Sequence, residues 1–146
     1  MSNTSRKAVR DALKTLLTTK LVGVGLPVKT VVDSKQKVLE GKTPLVAILP
    51  GGTLRERITF SGTKPMFMLS TQIWVLQEGT GWTLEQSLDA LDDIEALISE
   101  VFADSTGTAN WSILEYDGNS IVEEVDADGK LYYVETIPTK VQTIKA

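Results

Sequence analysis

A long apolar strand followed by an amphipathic helix is the feature that most constrains the fold of this chain. Residues 82–102 read WTLEQSLDALDDIEALISEVF, in which the large apolar residues recur mostly at three- and four-residue steps. That period predicts a helix with one apolar face and places Leu88 and Leu91 in the middle of that face. Thr83 and Gln86 have the spacing of a capping box at the start of the helix. We therefore expect Leu88 and Leu91 to be buried against a sheet.

The strand that precedes this helix spans residues 66–78 (MFMLSTQIWVLQE). Its odd-numbered residues, from Phe67 to Val75, are predicted to share one face, and the residues between them the other face. A short turn containing Gly79 and Gly81 joins the strand to the helix. We expect this strand and helix to form the core of the domain.

The first part of the chain contains a second amphipathic helix and two further strands. The helix is predicted at residues 5–21, where apolar residues line one face and lysines and arginines lie largely on the other. A short strand follows at residues 28–32, and residues 33–43 form a polar connection. The apolar run 44–50 is expected to be a strand buried on both faces, which Pro50, Gly51 and Gly52 should stop.

Residues 51–65 (GGTLRERITFSGTKP) alternate between apolar and charged residues and have glycines near both ends. The two-residue period predicts a strand. One interpretation is a β-hairpin or β-arm that extends beyond the core, with an apolar side that either the domain or a neighbouring subunit covers. The other interpretation is an ordinary edge strand of the main sheet. The candidate contacts with another subunit or partner are Leu54, Arg55, Arg57, Ile58, Phe60 and Lys64.

The last part of the chain is predicted to contain three strands, with turns at residues 117–119 and at Asp128-Gly129. Pro138 interrupts the final strand, where we expect a bend, a bulge or an edge position because proline donates no N–H. The length of 146 residues suggests one domain, residues 1–146. The predicted class is α+β: a single, mainly antiparallel β-sheet with two α-helices packed on one face and a projecting β-arm.

Charge is distributed unevenly along the chain. Residues 1–73 carry 12 Lys and Arg against 4 Asp and Glu, a net charge of +8, whereas residues 74–146 carry 3 against 15, a net charge of −12. Such a split suggests a charged partner or two complementary faces on one subunit. The alternative is that the two halves interleave in the fold and that their charges mix on the surface.

The sequence offers few groups for catalysis or metal binding. It has no Cys, which excludes thiolate chemistry, and no His, the commonest general base and metal ligand. The carboxylates lack the spacing of a calcium loop, and no glycine pair begins a phosphate-binding loop. We therefore expect no enzyme activity, no catalytic residues, no cofactor and no metal. No apolar run is long enough to span a membrane, and the N-terminal residues lack an apolar signal region. We expect the protein to act in a cytoplasm or in a particle assembled there.

The order of the predicted elements resembles that of one known family. An amphipathic helix leads to a short strand, a proline-led apolar strand (PLVAIL), a β-arm and a long strand. An acidic helix (TLEQSLDALDDIEALISEVF) and a β-rich tail with Asp-Gly turns complete the chain. This order resembles the tail terminator, or tail completion, proteins of long-tailed bacteriophages, a family that includes the lambda minor tail protein U. The resemblance covers nearly the whole chain.

The resemblance implies a structural virion protein of the tail or neck that assembles in the host cytoplasm. Such a protein forms a ring, usually a hexamer, that caps the tail tube, ends tail polymerisation and provides the head-to-tail joining surface. The implied partners are other copies of the chain, the tail tube protein and a head–tail connector or neck protein, with at most non-specific proximity to DNA and no membrane. Two alternatives remain: another neck or head–tail connector protein, or a non-viral α+β binding or adaptor domain.

Overall fold

The computed structural model describes residues 5–36, 39, 41–57, 63–79, 83–108 and 111–143, and it describes the backbone alone at residues 54–57, 63 and 64. The elements are α1 (Arg6–Leu21), β1 (Thr30–Val32), β2 (Leu45–Arg57), β3 (Thr63–Leu76), α2 (Leu84–Ser105), β4 (Trp111–Tyr116), β5 (Ile121–Ala127) and β6 (Lys130–Thr143). The strands form one curled sheet in the order β1-β2-β3-β6-β4, and β5 also pairs with β6. β1 runs parallel to β2, and the other pairings are antiparallel. The predicted α+β class and mainly antiparallel sheet are confirmed.

Both helices pack on the same face of the sheet, as predicted. Ser5 caps the start of helix α1, and its side chain accepts a hydrogen bond from the backbone N–H of Ala8 at 3.1 Å. The buried residues of α1 recur every four positions because that spacing follows one face of a helix. The core between the helices and the sheet includes Val9, Leu13, Leu17, Val46, Ile48, Phe67, Leu69, Ile73, Val75, Leu91, Ile94, Ile98, Ile137 and Val141.

Helix α2 has the predicted capping box, since Thr83 and Gln86 exchange both hydrogen bonds. Its buried face is rotated from the predicted one. Leu91 is 2% exposed, as expected, but Leu88 is 43% exposed, so the prediction that Leu88 is buried is wrong. Ser87 takes the buried position and donates a hydrogen bond to the Leu84 carbonyl at 2.7 Å. At about 100° per residue, Leu88 points about 120° away from the buried Ile94, so it lies on a flank of the helix.

Strand β2 continues through Pro50, Gly51 and Gly52, so the prediction that these residues stop it is wrong. The register between β2 and β3 shifts between Pro50 and Thr53, which is a β-bulge. A Cβ added at Gly51 would lie 2.5 Å from the Met68 carbonyl oxygen. Glycine therefore allows the two backbones to approach closely at the bulge, and the ladder continues beyond it.

Pro138 lies inside the sheet, at the point where β6 changes partner on one side. Residues before it pair with β5, and residues after it pair with β4. The Pro138 carbonyl accepts a hydrogen bond from the backbone N–H of Asp117 at 2.7 Å, in the connection between these two strands. The missing N–H of proline therefore falls at the gap between β4 and β5, where no ladder bond is lost. The Asp128-Gly129 turn is confirmed, with φ of 56° and 75°.

The second face of the sheet carries a smaller apolar cluster. Leu45 and Ala47 of β2 are buried here, while Val46 and Ile48 are buried on the helix face, which confirms a strand buried on both sides. Leu39, in the connection predicted to be polar, is buried against this second face. The connection between β1 and β2 therefore acts as a partial cover for the sheet.

Candidate assembly surface

The far end of the β2–β3 hairpin extends past the rest of the sheet. The last register pair between β3 and β6 at this end is Phe67 with Val141. The β2–β3 ladder continues beyond it, from Leu54 opposite Met66 to Arg57 opposite Thr63. We call residues 54–66 the arm. Within the described part of the chain, its two strands pair only with each other, which matches the hairpin interpretation.

The base of the arm is anchored to the start of α1. Arg6 Nε donates a hydrogen bond to Thr53 Oγ1 at 3.2 Å, directly after the bulge in β2. Gln142 Nε2 donates to the Pro65 carbonyl at 3.4 Å from the end of β6. These contacts hold the two strands of the arm at the edge of the body while the outer pairs lie beyond it.

The structure brings together the backbones of four of the six predicted contact residues. Leu54, Arg55 and Arg57 lie on β2, and Lys64 lies opposite Glu56 on β3. Ile58 and Phe60 lie outside the described residues. The role of all six in contacts with another subunit stays a prediction.

The two charged halves of the sequence occupy two sides of the sheet. Strands β1 and β2, with nearly all of β3, come from the basic half, and β6, β4 and β5 come from the acidic half. Helix α1 packs mainly over β1 and β2, whereas α2 packs over β3, β4 and β6. The strands of the two halves therefore do not interleave in the sheet, and the arm lies on the side built from the basic half. Charges of the two halves do meet elsewhere, since Lys29 lies beside Asp89 and Asp93 of α2, and Lys35 lies beside Asp126.

Carboxylates cluster where α2 passes over β6. Glu135 is buried on β6 and accepts a hydrogen bond from Ser120 Oγ at 2.6 Å. Burial raises the pKa of Glu135, the Ser120 hydrogen bond opposes that shift, and the nearby carboxylates of Glu95 and Asp92 raise the pKa further. The Tyr116 hydroxyl donates a hydrogen bond to Glu95. Burial is the larger cause that raises the pKa of Tyr116, and this hydrogen bond raises the pKa further. Negative charge is therefore concentrated on this side.

Apolar side chains beside these carboxylates are exposed, and the sequence analysis did not identify them as surface. Leu84 and Leu88 on α2 are 41% and 43% exposed, and Val122 on β5 is 52% exposed. For Leu88, the available signal was its angle around the helix relative to Ile94. No comparable signal marked β5, because its alternation of apolar and acidic residues is typical of a half-buried strand.

The described residues contain no group of three or more Asp, Glu, His or Cys that could hold a metal ion. Among the same residues, no helix combines the length and apolar character that crossing a membrane requires.

A cleft of about 440 Å³ opens on the second face of the sheet, between the β1–β2 connection and the β5–β6 turn. Trp74 lines it, with its indole N–H donating to Gln72 Oε1 at 3.1 Å. Lys35 and Asp128 lie at its polar margin. The cleft has the size of a small-molecule site, but its charged groups do not converge on a catalytic arrangement.

No protein-family model and no curated protein matches the sequence. Among solved structures, one similar chain belongs to the "virion of native gene transfer agent (GTA) particle", with a TM-score of 0.49 and 12% sequence identity. The similarity covers 90% of this chain and 84% of that chain. At this identity, no function passes from that chain to this one.

Proposed function

We propose that this chain is a structural, non-enzymatic protein of a phage-like virion that caps the tail tube as a ring. In this role it ends tail polymerisation and provides the surface on which the head docks. The observation that carries the proposal is the separation, within one sheet, of the arm-bearing strands of the basic half from the strands of the acidic half. The resemblance in element order to phage tail terminator proteins supports the same role.

A ring requires a heterologous interface, in which one face of a subunit meets a different face of the next. Opposite charge on the two sides of this subunit favours that head-to-tail arrangement over a two-fold dimer, which would bring like charges together. The arm lies at the edge of the basic side, where it can reach a neighbouring subunit. The partners of this protein are other copies of the same chain, most simply six in a ring, together with the tail tube protein and a head–tail connector.

The direct test is electron microscopy of the full-length protein and of the particles that contain it. We expect rings with a central pore at the end of the tail tube, with several copies of the chain in each particle. Replacement of the arm should abolish incorporation. A single copy per particle, or unchanged incorporation without the arm, would contradict the proposal.

The cleft beside Trp74 favours a second candidate, a non-viral binding or adaptor domain. In that case the purified protein would remain a small particle without rings, and Trp74→Ala would abolish ligand binding. The ring protein should instead assemble normally with Trp74→Ala, because the cleft lies on the second face, away from the arm.

A further inference from the structure

Exposed apolar residues on α2 and on β5 border the same group of carboxylates. Val122 pairs with Glu135, so the two side chains share the helix face of the sheet. Asp92 is close enough to Glu135 to raise its pKa, and Leu88 lies one turn before Asp92 on the same flank of α2. Leu88 and Val122 therefore border the same region from the helix and from the sheet.

We call this surface the acidic ledge and define it by Leu84, Leu88, Asp92, Val122, Glu124 and Glu135. Its apolar side chains are about half exposed, and carboxylates surround them on both α2 and the sheet. Among the described strands, β5 pairs only with β6, so its other edge offers free backbone N–H and C=O groups. An apolar surface with an acidic border beside a free strand edge suits a basic, amphipathic β segment.

We propose that the acidic ledge of one copy receives the arm of the neighbouring copy. The inference rests on the proposed ring and identifies its interface. The arm carries Arg55, Arg57 and Lys64 against one acidic residue, Glu56, and it includes apolar Leu54, Ile58 and Phe60. Its charge and its alternation complement the ledge. Because side chains alternate along a strand, Arg55 and Arg57 share the face opposite to Leu54 and Ile58, and in the proposed contact the arginine face meets the carboxylates of the ledge.

The arm of the same chain cannot fill this position. The arm begins at Met66 on β3, whereas the ledge lies beside Tyr133 of β6, which pairs with Val75. At about 3.3 Å per strand residue, the nine residues from Met66 to Val75 span about 30 Å. The arm and the ledge therefore occupy opposite ends and opposite sides of one sheet. A contact between them joins successive copies head to tail and closes into a ring if the rotation allows.

Because the chain has no Cys, single cysteines can test the contact without background reaction. Arg57→Cys would be mixed with Val122→Cys and treated with a short bismaleimide linker. The matched control pairs Arg57→Cys with Asp104→Cys, an exposed position on α2 about 24 Å from Leu88 at 1.5 Å per helical residue. We expect the ledge pair to give about tenfold more mixed dimer than the control, because the proposed contact raises the effective concentration of its two thiols. Equal yields would overturn the proposed contact.

A charge exchange provides a second, independent measurement. Arg57→Glu should weaken self-association of the full-length protein by about tenfold, and Glu124→Lys in the same chain should restore most of the loss. Asp104→Lys, with the same change of charge away from the ledge, should not restore it. Restoration by both lysines would overturn the inference, since it would indicate net charge alone.

The two proposals fail separately. If particles contain rings but Val122 shows no preferential cross-linking, the ring function stands and the ledge is rejected as the acceptor of the arm. The ledge would then be a surface for the tail tube or connector protein. Preferential cross-linking with a single copy per particle would retain the contact and reject the ring function.

Discussion

In both the β2–β3 hairpin and α2, one part is buried in the core and the outer end is not covered by the rest of the molecule. Ile48 and Ile73 of the hairpin belong to the same core cluster as Ile94 and Ile98 of the helix, and all four are fully buried. At their outer ends, the arm extends past the sheet and Leu84 is about half exposed. The same two elements therefore supply the core of one molecule and the surfaces suited to a contact between molecules.

The difference lies in what covers each apolar side chain rather than in apolar character. Leu88 and Leu91 are one helical turn apart and chemically identical, yet the body covers only Leu91. A single exposed leucine needs no partner to explain it. Several exposed apolar residues with carboxylates at their border, in contrast, suggest a surface that a partner covers. This contrast between covered and uncovered ends yields the following predictions.

The largest effect should separate the two leucines. Leu91→Ala removes buried methyl groups from the core and should lower the free energy of unfolding by about 2–5 kcal/mol. Leu88→Ala should change it by less than about 1 kcal/mol because that side chain is already 43% exposed. Urea melts of both variants measure the difference. Equal losses would mean that the outer flank of α2 is as well covered as its inner face.

The bulge at the base of the arm should give the next largest effect. Gly51→Ala brings a Cβ to 2.5 Å from the Met68 carbonyl oxygen, so the strands must move apart. We expect a loss of about 1–3 kcal/mol in the free energy of unfolding. The matched control is Gly52→Ala, which meets no atom within 4 Å and should be neutral or stabilising by up to about 1 kcal/mol. A neutral result at Gly51 would contradict the close approach of β2 and β3.

Much of this fold was predictable from local patterns. The capping box of α2, the alternation of β3 and the Asp128-Gly129 turn depend on neighbours in sequence, and all three are confirmed. The exposure of Leu88 and the burial of Leu39 depend on which distant element covers them, so periodicity alone did not determine them. Gly51 was misinterpreted for the same reason, because the Met68 backbone that requires a glycine comes from another strand.

The candidate site divides in the same way. The arm was one of the two interpretations of residues 51–65, because the alternation and flanking glycines on which both depend are local features. The ledge was not predicted, because it depends on how α2 packs over β6, the strand with which β5 pairs. The charge split was visible in the sequence, but only the strand order separates it into two sides.

Glu135 lies at the border between the body and the ledge, and its titration should affect stability. Because burial raises the pKa of this carboxyl in the folded protein above the ordinary 4.5, the folded state binds more protons than the unfolded state in that interval. Its contribution to stability is therefore greatest below pH 4.5 and falls as pH rises through the raised pKa. Glu135→Gln should stabilise the protein at pH values above the raised pKa, and its advantage should vanish at low pH.

Urea melts between acidic and neutral pH measure this effect. Ser120→Ala provides the opposite change, because it removes the hydrogen bond that favours the charged carboxylate. It should destabilise the protein most where Glu135 is ionised. A pH-independent effect of Glu135→Gln would show that packing, and not titration, determines its contribution.

The smallest effect on the isolated subunit should come from removal of the arm. Replacing residues 55–65 with Asn-Gly closes the hairpin at the pair of Leu54 with Met66 through a two-residue turn. Within the described chain, the removed ladder pairs only with itself, and the replacement loses the 3.4 Å hydrogen bond from Gln142 to Pro65. We therefore expect the free energy of unfolding to change by no more than about 1 kcal/mol, the typical net contribution of one hydrogen bond. Self-association should be lost in the same variant, because the arm supplies the basic half of the proposed interface. Urea melts and sedimentation of one preparation measure both properties, and a large loss of stability would mean that the arm folds against its own subunit.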